Sequence, residues 1–80
     1  MKLPRDLSGL ELARALSKVG NTVTRQAGSH LRLTRAGDVQ HHVTIPSHDP
    51  LKVGTLAAVL GEVAAHLKIE RGALAEKLFG

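Results

Sequence analysis

Thr22-Val23-Thr24-Arg25-Gln26, Ala27-Gly28-Ser29, His30-Leu31-Arg32-Leu33-Thr34, Ala36-Gly37-Asp38 and Val39-Gln40-His41-His42-Val43-Thr44-Ile45-Pro46 follow one another along the middle of the chain. The first run is rich in β-branched residues, which fit a pleated surface. The second alternates apolar and polar with period two, and the third does so up to a proline. Each gap holds a glycine beside small or polar residues, the composition of a tight turn. Turns this short join neighbouring strands only in antiparallel order. A three-stranded antiparallel meander is therefore expected over residues 22–45.

Helices flank the meander. Ser8 followed by Glu11 is a capping box, so a helix starts there. Leu12, Ala15, Leu16 and Val19 then recur at spacings of three and four, and Gly20-Asn21 stops the helix. Downstream, Leu56, Val59, Leu60 and Val63 form the stripe of a second helix running to Leu67, with Thr55 expected to cap its start. Residues 70–79 read as a short last helix with Leu74, Leu78 and Phe79 apolar. The expected order is α-β-β-β-α plus a short extra C-terminal helix, an α+β fold. All 80 residues are expected to form one domain. At this length roughly 60% of the unfolded chain's surface is buried, so the core must be compact.

Strand parity says where chemistry can sit. One face of the sheet must cover the helices, and successive side chains alternate between faces. If Leu31 and Leu33 point to the helices, then His30, Arg32 and Thr34 point away. Val39, Val43 and Ile45 point in with His41, so Gln40, His42 and Thr44 point away. By the same rule Val23 points in, and Thr22, Thr24 and Gln26 point away. The open face is then polar, with two histidines, an arginine and no carboxylate.

Composition narrows the function classes. The chain is 42% hydrophobic and 22% charged, ordinary for a globular domain. It has no cysteine, which excludes disulfides, thiolate metal sites and cysteine nucleophiles. With no Trp, no Tyr and one Phe, modules that stack bases on exposed aromatic rings are disfavoured. No run reaches the apolar length of a membrane span, and residues 1–6 carry no apolar signal core. A cytoplasmic protein without a membrane partner is the expectation. The net charge is +4, and its whole surplus falls in residues 1–40, with seven basic residues against three acidic; residues 41–80 carry four of each. That imbalance suits a polyanion, although a solubilising surface would carry it too.

His30, His41, His42 and His48 lie amid Arg25, Arg32, Arg35 and Lys52. A histidine titrating near pKa ~6.5 exchanges protons at neutral pH. RNA brings its own nucleophile, the 2′-hydroxyl. Cutting it needs a base for that hydroxyl, a cation for the crowded phosphate and a proton for the departing oxygen. Histidine with Arg or Lys supplies this without a metal or another cofactor. A satisfied surface histidine is the plainer alternative. A metal site on His41, His42, His48 and Asp49 fits poorly, since adjacent strand residues His41 and His42 point to opposite faces. Gly28-Ser29 could let backbone N–H groups and a hydroxyl approach a phosphate, though a hairpin turn explains the pair equally. Gly54-Thr55 could do the same at a helix start. His66, near a helix C-terminus, could serve only the helix dipole.

Ser8-Gly9-Leu10-Glu11-Leu12, Ala15-Leu16, Val19-Gly20 and Arg25-Gln26-Ala27-Gly28-Ser29-His30 resemble the opening of the HicA (YcfA-like) toxins. Val43-Thr44-Ile45-Pro46-Ser47-His48, followed by Lys52-Val53-Gly54-Thr55-Leu56, resembles their second signature. The likeness covers residues 8 to about 60 in unbroken order. It departs at Leu31, where many members have a second histidine or an aromatic, and in the alanine-rich tail. The resemblance implies a double-stranded-RNA-binding-domain-like fold and an mRNA interferase, a metal-independent endoribonuclease. It implies a HicB-type antitoxin that covers the active site, and His30 as the catalytic histidine. Around His30, Arg32 and Lys52 are assigned to charge stabilisation, Arg25 to RNA-backbone binding, and Gly28 and Ser29 to shaping the approach. A non-catalytic RNA-binding domain of the same fold is the alternative, with Lys52 as the one basic residue near the start of the long helix. A pure protein-interaction module is a second alternative, but a chain this short needs its apolar residues for its own core.

Overall fold

The computed structural model describes residues 3–35, 37 and 40–80. Helix α1 spans Gly9–Leu16, and one 3₁₀ turn, Ser17–Val19, follows it. Strands β1 (Asn21–Ala27), β2 (His30–Arg35) and β3 (His41–Pro46) come next. Helices α2 (Val53–Leu67) and α3 (Arg71–Phe79) complete the chain. The sheet order is β1-β2-β3, antiparallel throughout, so the architecture is α+β with an open three-stranded sheet.

Ser8 and Glu11 close the expected capping box, each side chain accepting from the other's backbone N–H at 3.0 Å. The Ser8 backbone N–H, then the Ser8 hydroxyl and the nearby Arg14, hold the Glu11 carboxyl below its ordinary pKa. Gly9, one residue on, is buried against the end of β3 and donates its N–H to the His48 carbonyl at 2.9 Å. A Cβ there would lie 2.0 Å from the Pro46 carbonyl oxygen, so only glycine fits. Gly20 ends the helical segment with φ 92.

One side of the sheet packs on the helices. Leu31, Leu33, Val43 and Ile45 meet Leu12 and Leu16 of α1, Leu56, Leu60 and Val63 of α2, and Leu74 and Leu78 of α3 in one buried cluster. Lys18 ties the layers together, its ammonium donating to the Leu78 carbonyl at 2.9 Å.

Several expectations change. Helix α2 starts at Val53, with Lys52 as an extended N-cap residue that makes no side-chain cap. Thr55 therefore lies inside the first turn and does not cap it. Strand β3 begins at His41, so Gln40 lies outside the ladder. Val39, Ala36 and Asp38 lie outside the described residues, and the expectations for them with it. The largest change is in β1. Val23 pairs with Leu33, but Arg25 pairs with Arg32 and Gln26 with Leu31, so a bulge falls at Thr24. The extra residue reverses parity. Arg25 thus shares the face of Arg32, and Gln26 shares the face of Leu31, against the expectation that Gln26 points away. Val23 does lie on the helix side, yet it stays 46% exposed. It sits on an edge strand where the helical layer does not cover it.

Candidate nucleic-acid interface

Among the described residues, no layer covers the far side of the sheet. Its side chains follow from the pairing: His30, Arg32 and Thr34 of β2, His42 and Thr44 of β3, and Thr22, Thr24 and Arg25 of β1. All except the half-buried Thr34 are exposed. None of the three strands contains an aspartate or glutamate.

His30 opens β2 directly after the turn, paired on one side with Ala27 and on the other with Pro46. The turn is a two-residue connection, Gly28-Ser29, with Gly28 at φ 57. Glycine at the first turn position with φ > 0 matches the twist of a hairpin. Nothing lies within 4 Å of where a Gly28 side chain would begin, so the turn is open to solvent there. The Ser29 carbonyl accepts the Ser47 N–H at 2.7 Å, which pins the turn to the end of β3. Among the described residues no hydrogen bond or ion pair engages the His30 ring, which is exposed on this face.

Arg32 stands two residues along β2 on the same side, with Arg25 directly across on β1 and Thr44 across on β3. Two guanidinium groups thus flank the middle of the face. Lys52 is not part of it. It precedes α2 and lines a groove of about 890 Å³ with Leu3, Arg5, Asp6 and Pro50. His48 is exposed in the connection after β3, where its carbonyl caps α1.

At the other end of the face, His42 pairs with Thr34. Its Nδ1 is 2.8 Å from the Thr34 hydroxyl, which is itself 2.8 Å from the Thr24 hydroxyl. Parity indicates that His42 faces outward; the contact with Thr34 follows from the β2–β3 register, and the one from Thr34 to Thr24 depends on the bulge, which has no signal in the sequence. His41, one residue earlier, faces the helices. Its ring stacks on His66 of α2 with centroids 4.2 Å apart and planes 9° from parallel, and its Nε2 is 3.8 Å from a Glu62 oxygen. Burial, then the charges of His41 and Arg35, push the His66 pKa below its ordinary value. His41 and His42 therefore stand on opposite faces. Among the described residues no group of three His, Cys, Asp or Glu side chains is placed to hold a metal ion.

A helix-backed sheet with one bare, cationic, acid-free face is a surface shaped for a polyanion. Residues 9–65 match the family described as HicA toxin of bacterial toxin-antitoxin, and the chain belongs to that family. It has the role of a toxin that pairs with an antitoxin protein. No curated protein and no solved structure matches the chain. Among the described residues no helix is long and apolar enough to cross a membrane.

Proposed function

We propose that this toxin is a metal-independent endoribonuclease that cuts mRNA in the cytoplasm through His30. The observation that carries the reading is the placement of an exposed imidazole at the mouth of the β1–β2 turn, on a sheet face with two arginines and no carboxylate. His30 takes the proton of a ribose 2′-hydroxyl as that oxygen attacks the adjacent phosphorus. The bond from phosphorus to the 5′ oxygen breaks, and that oxygen receives a proton from the solvent that reaches this face. Arg32 stabilises the negative charge gathering on the phosphate, and Arg25 holds the RNA backbone beside it. Gly28 leaves room for the strand, and Ser29 offers a hydroxyl at the turn. Lys52, off the face, contributes charge at its margin. A HicB-type antitoxin that covered this face would silence the toxin by excluding RNA.

Replacing His30 by alanine tests the reading. Loss of one general acid–base group costs about 10²–10⁴ in rate. His30→Ala is expected to abolish growth arrest and to slow RNA cleavage in EDTA by that factor, with an unchanged melting temperature. Parent-rate cleavage by the variant rules out His30. An RNA gel shift by the wild-type protein without any cleavage favours the non-catalytic RNA-binding domain instead.

A further inference from the structure

The nuclease chemistry uses one end of the sheet's open face and leaves the other end unexplained. There the bulge in β1 puts two successive residues, Thr24 and Arg25, on the open side. Thr24 thereby reaches Thr34, and Thr34 reaches His42. The chain of hydroxyls ends at the Arg32 carbonyl, 3.4 Å from the Thr24 oxygen. Hydroxyls rotate, so the chain can be polarised in either direction. Running outward, Thr24 donates to Thr34, Thr34 donates to Nδ1, and Nε2 carries the hydrogen. Running inward, Nδ1 donates to Thr34, Thr34 to Thr24 and Thr24 to the Arg32 carbonyl. The inward direction also serves the imidazolium, because each donor then finds an acceptor. Nδ1 is occupied either way, and Nε2 has a hydrogen to donate to a ligand in the outward arrangement and in the imidazolium.

We propose, on the basis of the endoribonuclease reading, that His42 is a second RNA contact, whose Nε2 holds a backbone phosphate of a single strand lying across the open face from His30. His30 and His42 are separated by four residues along the ladder and one strand across it. That is roughly 13 Å along the strands and about 5 Å across them. At a rise of ~3.4 Å per stacked nucleotide the separation corresponds to about four nucleotides. One imidazole therefore does not serve the phosphate that the other serves. Arg32 and Arg25 fill the interval, so the face reads as a row of nitrogen-bearing side chains: histidine, two arginines, histidine. Backbone phosphate is the partner this row selects. The chain has no Trp or Tyr, and its single Phe lies on α3, so bases have no Phe, Tyr or Trp ring on this face to stack on.

Anisotropy measurements on the full chain test the contact. The probes are RNA oligomers of about four and about eight nucleotides, lengths set by the ~3.4 Å rise. Both carry 2′-O-methyl groups, which remove the nucleophile and prevent cutting. The longer oligomer is expected to bind the wild-type protein more tightly. His42→Gln is expected to lose about tenfold in affinity for it, the value of a hydrogen bond to a charged group, and to erase most of the gain with length. Thr34→Val keeps the shape and removes the hydroxyl that orients the ring, and it is expected to lose about threefold. A merely structural role would move the melting temperature and weaken both lengths alike. Equal affinity of wild type and His42→Gln for the longer oligomer overturns the contact. An equal loss on a blunt duplex of the same sequence overturns the single-strand assignment. Failure of the wild-type protein to cut unmodified RNA overturns the nuclease reading alone, since binding is measured on RNA that no protein can cut by this route.

Discussion

His41 and His42 are neighbours in the chain and opposites in the structure. His42 stands in solvent, its Nδ1 held by a threonine. His41 lies half-buried beneath α2, stacked on His66 beside Glu62. The same side chain serves two ends because the pleat turns it one way and then the other. The sheet as a whole divides likewise. Its covered face is built from Leu31, Leu33, Val43 and Ile45, none more than 2% exposed. Its open face carries threonines, arginines and two histidines. Substitutions on the first face should read out as stability, and on the second as RNA chemistry with stability unchanged.

The largest effect on the covered side is expected from Leu33→Ala. Leu33 is fully buried on the central strand, and such a truncation costs about 2–5 kcal/mol. Urea unfolding should show that loss, with cleavage failing only in proportion to the unfolded fraction. Cleavage lost from a fully folded Leu33→Ala protein would break the division between the faces. Gly9→Ala comes next. Its Cβ meets the Pro46 carbonyl at 2.0 Å, and relief requires backbone movement costing about 1–3 kcal/mol. Because Gly9 anchors α1 to the end of β3, near His30, a calorimetric loss here sharpens the comparison by showing what holds the two layers together.

Acid should act on His66. His66 has its pKa depressed by burial and by neighbouring positive groups, so the folded chain prefers it neutral. The unfolded chain therefore binds this proton first as the pH falls. The stability that depends on neutral His66 is complete above the ordinary histidine value of about 6.5 and declines as pH drops below it. His66→Phe keeps a stacking ring without a titrating nitrogen. Its melting temperature should fall less than that of the wild type between neutral and mildly acidic pH. Equal falls would mean that the stack does not sense protons. The smallest effect is expected on the open side. Arg32→Ala should leave the melting point in place and reduce the salt dependence of RNA binding by about 0.7 in log–log slope, one phosphate contact on a single strand. An unchanged slope would remove Arg32 from the RNA path.

Much of this was legible beforehand, for a definite reason. Capping-box chemistry, glycine at left-handed stops and two-residue alternation are local rules, and Ser8, Gly20, Leu31 and Leu33 obey them. Local reading failed where strands must be counted against each other. Seven residues of β1 face six of β2, and the surplus is absorbed at Thr24. No residue type announces the position of that surplus, so simple alternation puts Gln26 on the open face, where the pairing puts Arg25 instead. Thr55 was misread for a related reason. Its hydroxyl suits a cap, but the path out of β3 brings Lys52 to the cap position first.

Sequence alone determined that a three-stranded meander has helices on one side, that Leu31, Leu33, Val43 and Ile45 lie beneath, and that His30, Arg32 and His42 look outward. Periodicity suffices for that, since each residue's side is set by its immediate neighbours. Tertiary structure decided which cations share the face with His30, which hydroxyl orients His42, and that His66 stacks on His41. Those are contacts between segments distant in the chain, and their register is settled only when the strands pair and the helices close over one face.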